Sequence, residues 1–175
     1  NEHLQDKELL FPSKQKKVLA ALRKLSKKDL AMALTIKGDI LDKTYTNIKN
    51  YTKNETYHAF SSFSGLVFFN LDKENYFENE YSYISKNIVI LDAFYGILEP
   101  GTLIKPYRLD MKAKIGINLY NHWDVDSYFH NEVIINLAST EFSSMIDNEM
   151  ISINFLQNKN GNFINQATYS KQARG

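Results

Sequence analysis

Apolar residues recur at helical spacing through most of the first half of the chain. After Ser13, the residues Val18, Leu19, Leu22 and Leu25 share one face, with Lys14, Lys16, Lys17, Arg23 and Lys24 mostly opposite. The pattern predicts an amphipathic basic helix capped by Ser13. Ser26-Lys27-Lys28-Asp29 is a capping-box variant, with Leu30, Ala33 and Leu34 continuing a second helix that Gly38 is expected to stop. Beyond that glycine, Ile40, Leu41, Thr44, Tyr45 and Ile48 again lie on one face. Asp39 would sit at the positive end of this third helix. Aromatic residues keep helical intervals over 55–85, first Tyr57, Phe60 and Phe63, then Tyr76, Phe77, Tyr81 and Ile84. Two helices are predicted there, interrupted at Ser64-Gly65.

The second half changes period. Asn87 to Asp92 is a compact β-branched run that predicts a buried strand, and Glu99-Pro100-Gly101 predicts a loop. Val133 to Leu137 predicts a second buried strand, followed by a helix capped at Ser139-Thr140-Glu141 and ending near Asp147. Met150 to Gln157 alternates, with Ile151, Ile153 and Phe155 on one face, and Asn158-Lys159-Asn160-Gly161 predicts a hairpin loop returning through Phe163 to Tyr169. Helices crowd the first half and strands the second, so the expected class is α+β or mixed α/β in a single domain over 1–175.

Composition narrows the chemistry. With 43% apolar residues in 175, one sizeable core is available. The absence of cysteine removes disulfides, thiol nucleophiles and thiolate metal sites. The apolar runs are far shorter than the roughly 20 residues a spanning helix needs, so no membrane partner is expected. The chain opens on Asn1 without a charged and then apolar leader, which sets a cytoplasmic expectation. Net charge is only +1 but segregated, with +6 over 1–53, −5 over 54–100 and 0 over 101–175. Such asymmetry points to a polyanionic partner, although a lysine-rich solvated helix surface produces the same numbers.

Residues 90–100, Ile-Leu-Asp-Ala-Phe-Tyr-Gly-Ile-Leu-Glu-Pro, followed by Lys105-Pro106-Tyr107-Arg108-Leu109-Asp110-Met111, resemble the central signature of the YaaA-like peroxide-stress family. Two further blocks fall in the family's order, from Leu119-Tyr120 to Trp123 and from Val133 to Phe142, and the Asn158 to Gly175 segment resembles the family's hairpin and Lys-x-Ala-Arg-Gly run. Members usually begin with a strand and continue past the Arg-Gly, so a partial chain lacking both family termini is expected. Between Trp123 and Val133 members usually carry a longer helix. The resemblance implies a mixed α/β fold with a positively charged cleft, a helix-hairpin-helix, DNA binding and a place in the response to hydrogen peroxide.

Specific residues follow. A helix-hairpin-helix holds the DNA backbone with main-chain N–H groups at a glycine turn and with nearby cations, and so ignores sequence. The basic helical region 14–49 has that layout over Lys27 to Lys49, with Lys37 and Gly38 at the turn and Lys43 and Lys49 following. Ile40 stands where the full motif has a second glycine, and an ordinary αα-corner is the alternative. Lys105, Arg108, Lys112 and Lys114 form one candidate phosphate-binding cluster, Lys171 and Arg174 another. Arg108 paired with Asp110 or Glu141 as a loop-fixing ion pair is the alternative for the first. Tyr95, Gly96, Pro106, Tyr107, Asp110, Ser139 and Glu141 are the candidate cleft-shaping residues. The rival reading is an enzyme acting on a nucleotide or nucleobase, using Arg108, Asp110, Glu141, Lys171 and Arg174. His122, Asp124, Asp126 and His130 have ligand-type side chains, but no metal or cofactor is expected. The expected partner is double-stranded or structured DNA.

Overall fold

The computed structural model describes residues 3–175. Its first third is three helices, α1 (Pro12–Lys24), α2 (Lys27–Leu34) and α3 (Gly38–Lys49). Pro12 occupies the first turn of α1, where its missing N–H costs nothing. Ser26 caps α2 by accepting from the Asp29 N–H at 3.1 Å. Val18, Leu19, Leu22, Leu30, Leu34 and Ile48 turn inward as their spacing requires. Gly38 does not stop α2. That helix ends at Leu34, Thr35 takes the left-handed conformation (φ 52°), and Gly38 (φ 58°) is the first residue of α3.

The 55–85 region departs from the expectation of two aromatic-faced helices. Tyr57–His58 forms a short strand, β1, and the helical stretches α4 (Ala59–Ser62) and α5 (Leu66–Phe69) are single turns on either side of Ser64-Gly65. Phe77 precedes α6 (Glu78–Asn87), and its N–H donates to the Glu80 carboxylate at 2.9 Å. Tyr57 is drawn into β1 because it pairs antiparallel with Ile104 of β4 (Leu103–Ile104), a tertiary contact that outweighs local spacing.

The centre of the molecule is the antiparallel hairpin β2 (Ile90–Asp92) and β3 (Gly96–Leu98), paired Ile90 to Leu98 through Asp92 to Gly96. Every residue from Asp92 to Leu98 is buried. The core runs continuously from Leu4 and α1 through this hairpin to Leu119, Trp123, Val125 and Ile146. Glu99-Pro100-Gly101 is a tight turn closed by the Thr102 N–H on Glu99 O at 3.0 Å. The N-terminal segment bonds alongside it, from the Lys7 N–H to Gly101 O at 3.0 Å and from the Leu103 N–H to Lys7 O at 3.1 Å.

The last third consists of α7 (Leu119–His122), β5 (Ile134–Asn136), α8 (Thr140–Ser143), β6 (Met150–Ser152), β7 (Gln157–Lys159), β8 (Asn162–Ile164) and α9 (Ala167–Arg174). β5 and β6 pair in parallel across α8, which is one turn rather than a helix reaching Asp147. The Val133 to Leu137 run is not buried as expected: Ile134 packs against the core, while Val133, Ile135 and Leu137 are exposed on the side that no described element covers. β7 and β8 form the predicted hairpin, with Asn160 (φ 54°) and Gly161 (φ 83°) both left-handed, as its two-residue turn demands. The fold is mixed α+β, with α1 to α6 preceding the strands from β2 onward. Among the described residues no helix is long and apolar enough to cross a membrane.

Candidate functional site

Asp92 closes β2 and is the one charged residue in the buried run that follows it. Its Oδ1 accepts the Phe94 and Tyr95 N–H groups, each at 2.8 Å, and its Oδ2 accepts the Tyr107 hydroxyl. A buried carboxylate without such donors would be prohibitively costly. Burial still pushes its pKa up to about 6, with the Tyr107 hydroxyl and three peptide N–H groups pulling back. Burial, reinforced by the Asp92 charge, drives the Tyr107 phenol well above its ordinary value.

Aromatic rings surround this pair. Tyr107 stacks on Phe94 at 4.9 Å and meets Tyr95 edge-on at 5.1 Å. The Tyr95 hydroxyl accepts the Lys105 N–H at 2.9 Å and lies 2.8 Å from the Tyr51 hydroxyl, to which Gln15 Nε2 of α1 donates at 3.2 Å. Burial raises the pKa of both Tyr95 and Tyr51. The Lys105 ammonium donates to Thr52 O at 2.9 Å and sits over the Tyr51 ring. A polar seam therefore ties the basic N-terminal helices to the central hairpin. Asp92, Tyr51 and Gln15 were not among the sequence candidates. For Asp92 the signal existed: a lone acid inside an apolar strand must be partnered.

Gly96 holds the turn together. Its φ is +82°, and a Cβ there would lie 2.7 Å from the Trp123 ring, so only glycine fits. Trp123 is in turn fixed by its Nε1–H on Ala93 O at 3.1 Å. Tyr95, Gly96 and Tyr107 thus meet around Asp92, while Pro106 is exposed.

The basic candidates fall into three places. Leu109, Met111, Ala113 and Ile115 are buried while Arg108, Asp110, Lys112 and Lys114 alternate with them and are exposed. The core residues anchor the segment, and three cations and one acid are exposed between them. Lys37, Gly38 and Lys43 are exposed at and after the turn between α2 and α3, helices that pack on each other and are linked by Lys27 Nζ to Asp42 at 2.5 Å. Lys171 and Arg174 lie on α9, which packs on α5, with the Arg174 guanidinium over the Phe155 ring at 5.8 Å.

Ser139 stands before the single turn of α8, where its carbonyl accepts from Phe142 and Ser143. Glu141 is close enough to Tyr120 for its charge to help raise that phenol's pKa. A groove of about 410 Å³ lies between Phe155–Gln157 and α9, and another is lined by β5 and β6 residues with Glu132 and Glu149. Neither is lined by Arg108, Asp110 or Glu141. His122 Nε2 lies 3.0 Å from Lys14 O, Asp124 3.9 Å from Lys14 Nζ, and Asp126 accepts the Asp147 N–H at 2.8 Å. Among the described residues no three metal-ligating side chains are grouped.

Comparison with known proteins places these features in a wider set. A family model described as peroxide stress protein YaaA matches residues 1–175. A UPF0246 protein of Fusobacterium nucleatum is 37% identical over 186 residues, covering 100% of this chain and 75% of the relative. One from Malacoplasma penetrans is 33% identical over 79% of this chain and 61% of its own length. A third, from Rickettsia rickettsii, is 29% identical over 95% of this chain and 73% of the relative.

Proposed function

Since the chain belongs to the family of peroxide stress protein YaaA, we propose that it is a sequence-independent DNA-binding protein of the peroxide-stress response, contacting the phosphate backbone of double-stranded or structured DNA in the cytoplasm. The observation that carries this reading is the 108–115 segment, where Leu109, Met111, Ala113 and Ile115 are buried and Arg108, Lys112 and Lys114 between them are exposed. Phosphate recognition needs cations fixed in place rather than merely numerous, because an ordered side chain loses less entropy on binding. Arg108 supplies a planar fork for phosphate oxygens, and the two lysines add point charge. The α2–α3 pair supports the same reading as a helix-hairpin-helix. Its turn exposes Lys37 and Gly38 at the N-terminus of a 12-residue helix, where free N–H groups and the helix dipole favour an anion. Lys105, Lys43, Lys171 and Arg174 extend the proposed basic cleft.

A salt-titrated mobility shift on duplex, bubble and junction DNA tests the proposal. Affinity is expected to fall linearly on a log-log plot, with a slope of about −0.9 for each phosphate neutralised. Arg108→Ala and Lys37→Ala should each weaken binding to all sequences alike and reduce the slope by about 1. Binding that ignores salt, or no binding by the folded protein, refutes it.

A further inference from the structure

A phenol surrenders an electron readily only when its proton leaves in the same step, because the oxidised phenol that keeps its proton is a very strong acid. A base already hydrogen-bonded to the hydroxyl removes that obstacle. Tyr107 has such a base in Asp92, whose carboxylate is pinned by two backbone N–H groups and cannot swing away. We propose that Tyr107 is a proton-coupled electron donor, the residue at which this protein is oxidised by one-electron oxidants of the hydroxyl-radical or metal-complex class.

The surroundings fit the role. Tyr107, Phe94, Tyr95 and Tyr51 form a continuous cluster, with centroid separations of 4.9 Å from Tyr107 to Phe94, 4.8 Å from Phe94 to Tyr95 and 5.4 Å from Phe94 to Tyr51. Tyr107 and Tyr51 are both half-buried, so an oxidant meets the cluster at either ring. Tyr95 and Tyr51 bond only each other, the Lys105 backbone and Gln15 among the contacts seen, and so lack a carboxylate acceptor. Oxidising equivalents entering the cluster come to rest on Tyr107. The raised pKa of Asp92, about 6, makes it a stronger base than an ordinary carboxylate while leaving it ionised at neutral pH.

The step balances. The Tyr107 O–H bond breaks, the proton forms an O–H bond on Asp92 Oδ2, and one electron passes to the oxidant. Hydroxyl radical becomes hydroxide; a ruthenium(III) complex becomes ruthenium(II). The products on the protein are a neutral tyrosyl radical and a protonated Asp92. This role is independent of DNA binding. A purely structural Tyr107–Asp92 pair would affect stability alone.

Flash-generated ruthenium(III), followed by freeze-quench electron paramagnetic resonance on the purified protein, tests it. A tyrosyl signal is expected in the parent, lost in Tyr107→Phe and diminished in Asp92→Asn. It should survive in Tyr83→Phe and Tyr169→Phe, whose rings are exposed. Incorporating 3,5-difluorotyrosine at position 107 keeps the ring shape and hydroxyl, and should add fluorine hyperfine splitting to the signal. That measurement decides the matter even where Tyr107→Phe fails to fold. A parent-like signal in folded Tyr107→Phe, or no fluorine splitting, overturns the proposal.

Discussion

Asp92 sets two requirements against each other at a single residue. The β2–β3 turn uses its carboxylate to satisfy the Phe94 and Tyr95 N–H groups, and the core around it penalises the charge. The carboxyl consequently keeps its proton up to about pH 6 in the folded chain, against an ordinary 3.8. Between those values the native state binds more protons than the unfolded state, so stability falls as pH rises through that window and is level above it. Two units correspond to about 3 kcal/mol. Asparagine is nearly isosteric and can still accept both N–H groups while carrying no charge. Urea unfolding of the parent and Asp92→Asn from pH 4 to 7.5 should show the difference in stability moving about 2.5 kcal/mol in favour of asparagine as pH rises, the remainder lying below pH 4. A difference that does not vary with pH would refute this account. The residue itself was visible in sequence as an acid closing an apolar run. Its partner was not, because Tyr107 stands in another segment and only the fold brings it within hydrogen-bond reach.

Helices α1 and α3 cap one another. The Arg23 Nε–H donates to Ile48 O at 3.2 Å, and the Lys49 ammonium donates to Arg23 O at 2.7 Å. Each C-terminus has free carbonyls and partial negative charge, and each receives a cation from its neighbour rather than from its own last turn. Arg23→Ala and Lys49→Ala should each cost about 0.5 to 1 kcal/mol. The double variant should fall short of the sum by about 0.5 kcal/mol, since the first loss loosens the packing on which the second bond depends. Strict additivity in a thermal or urea cycle would show the two bonds to be independent. These helices were legible because three turns of apolar spacing leave few alternatives. The 55–85 stretch was not. Four-residue turns carry no period to detect, and β1 exists only through its pairing with Leu103–Ile104, more than forty residues downstream. The turn between α2 and α3 was misread for a related reason: a glycine is the usual left-handed residue after a helix, and here Thr35 took that conformation first.

At the scale of the molecule, two surfaces were read from the same kind of signal with opposite results. The run expected as a buried strand from Asn87 begins as one only at Ile90, since Asn87 ends α6 and Ile88 is exposed. From Ile90 to Leu98 burial matches apolar composition, and this hairpin is the centre of the core. Val133 to Leu137 has a similar composition, yet Ile135 of β5 and its flanking Val133 and Leu137 are exposed beside Ile151 of β6 and the following Ile153, each 41–80% exposed. Composition reports that a strand prefers cover, while the arrangement of the other elements decides whether it gets any. Parallel strands are ordinarily covered on both faces, so this pair is the least typical part of the fold. If its outer side is free in solution as well, polar β-branched replacements there should be nearly neutral. Ile135→Thr and Ile151→Thr keep strand propensity and should change the unfolding free energy by no more than about 0.5 kcal/mol. Ile97→Ala, at a fully buried position of β3, should cost about 2–5 kcal/mol under the same conditions. Comparable losses at all three positions would mean that the β5–β6 face is covered in solution, and a dependence of the midpoint on protein concentration would then identify a second copy of the chain as its cover.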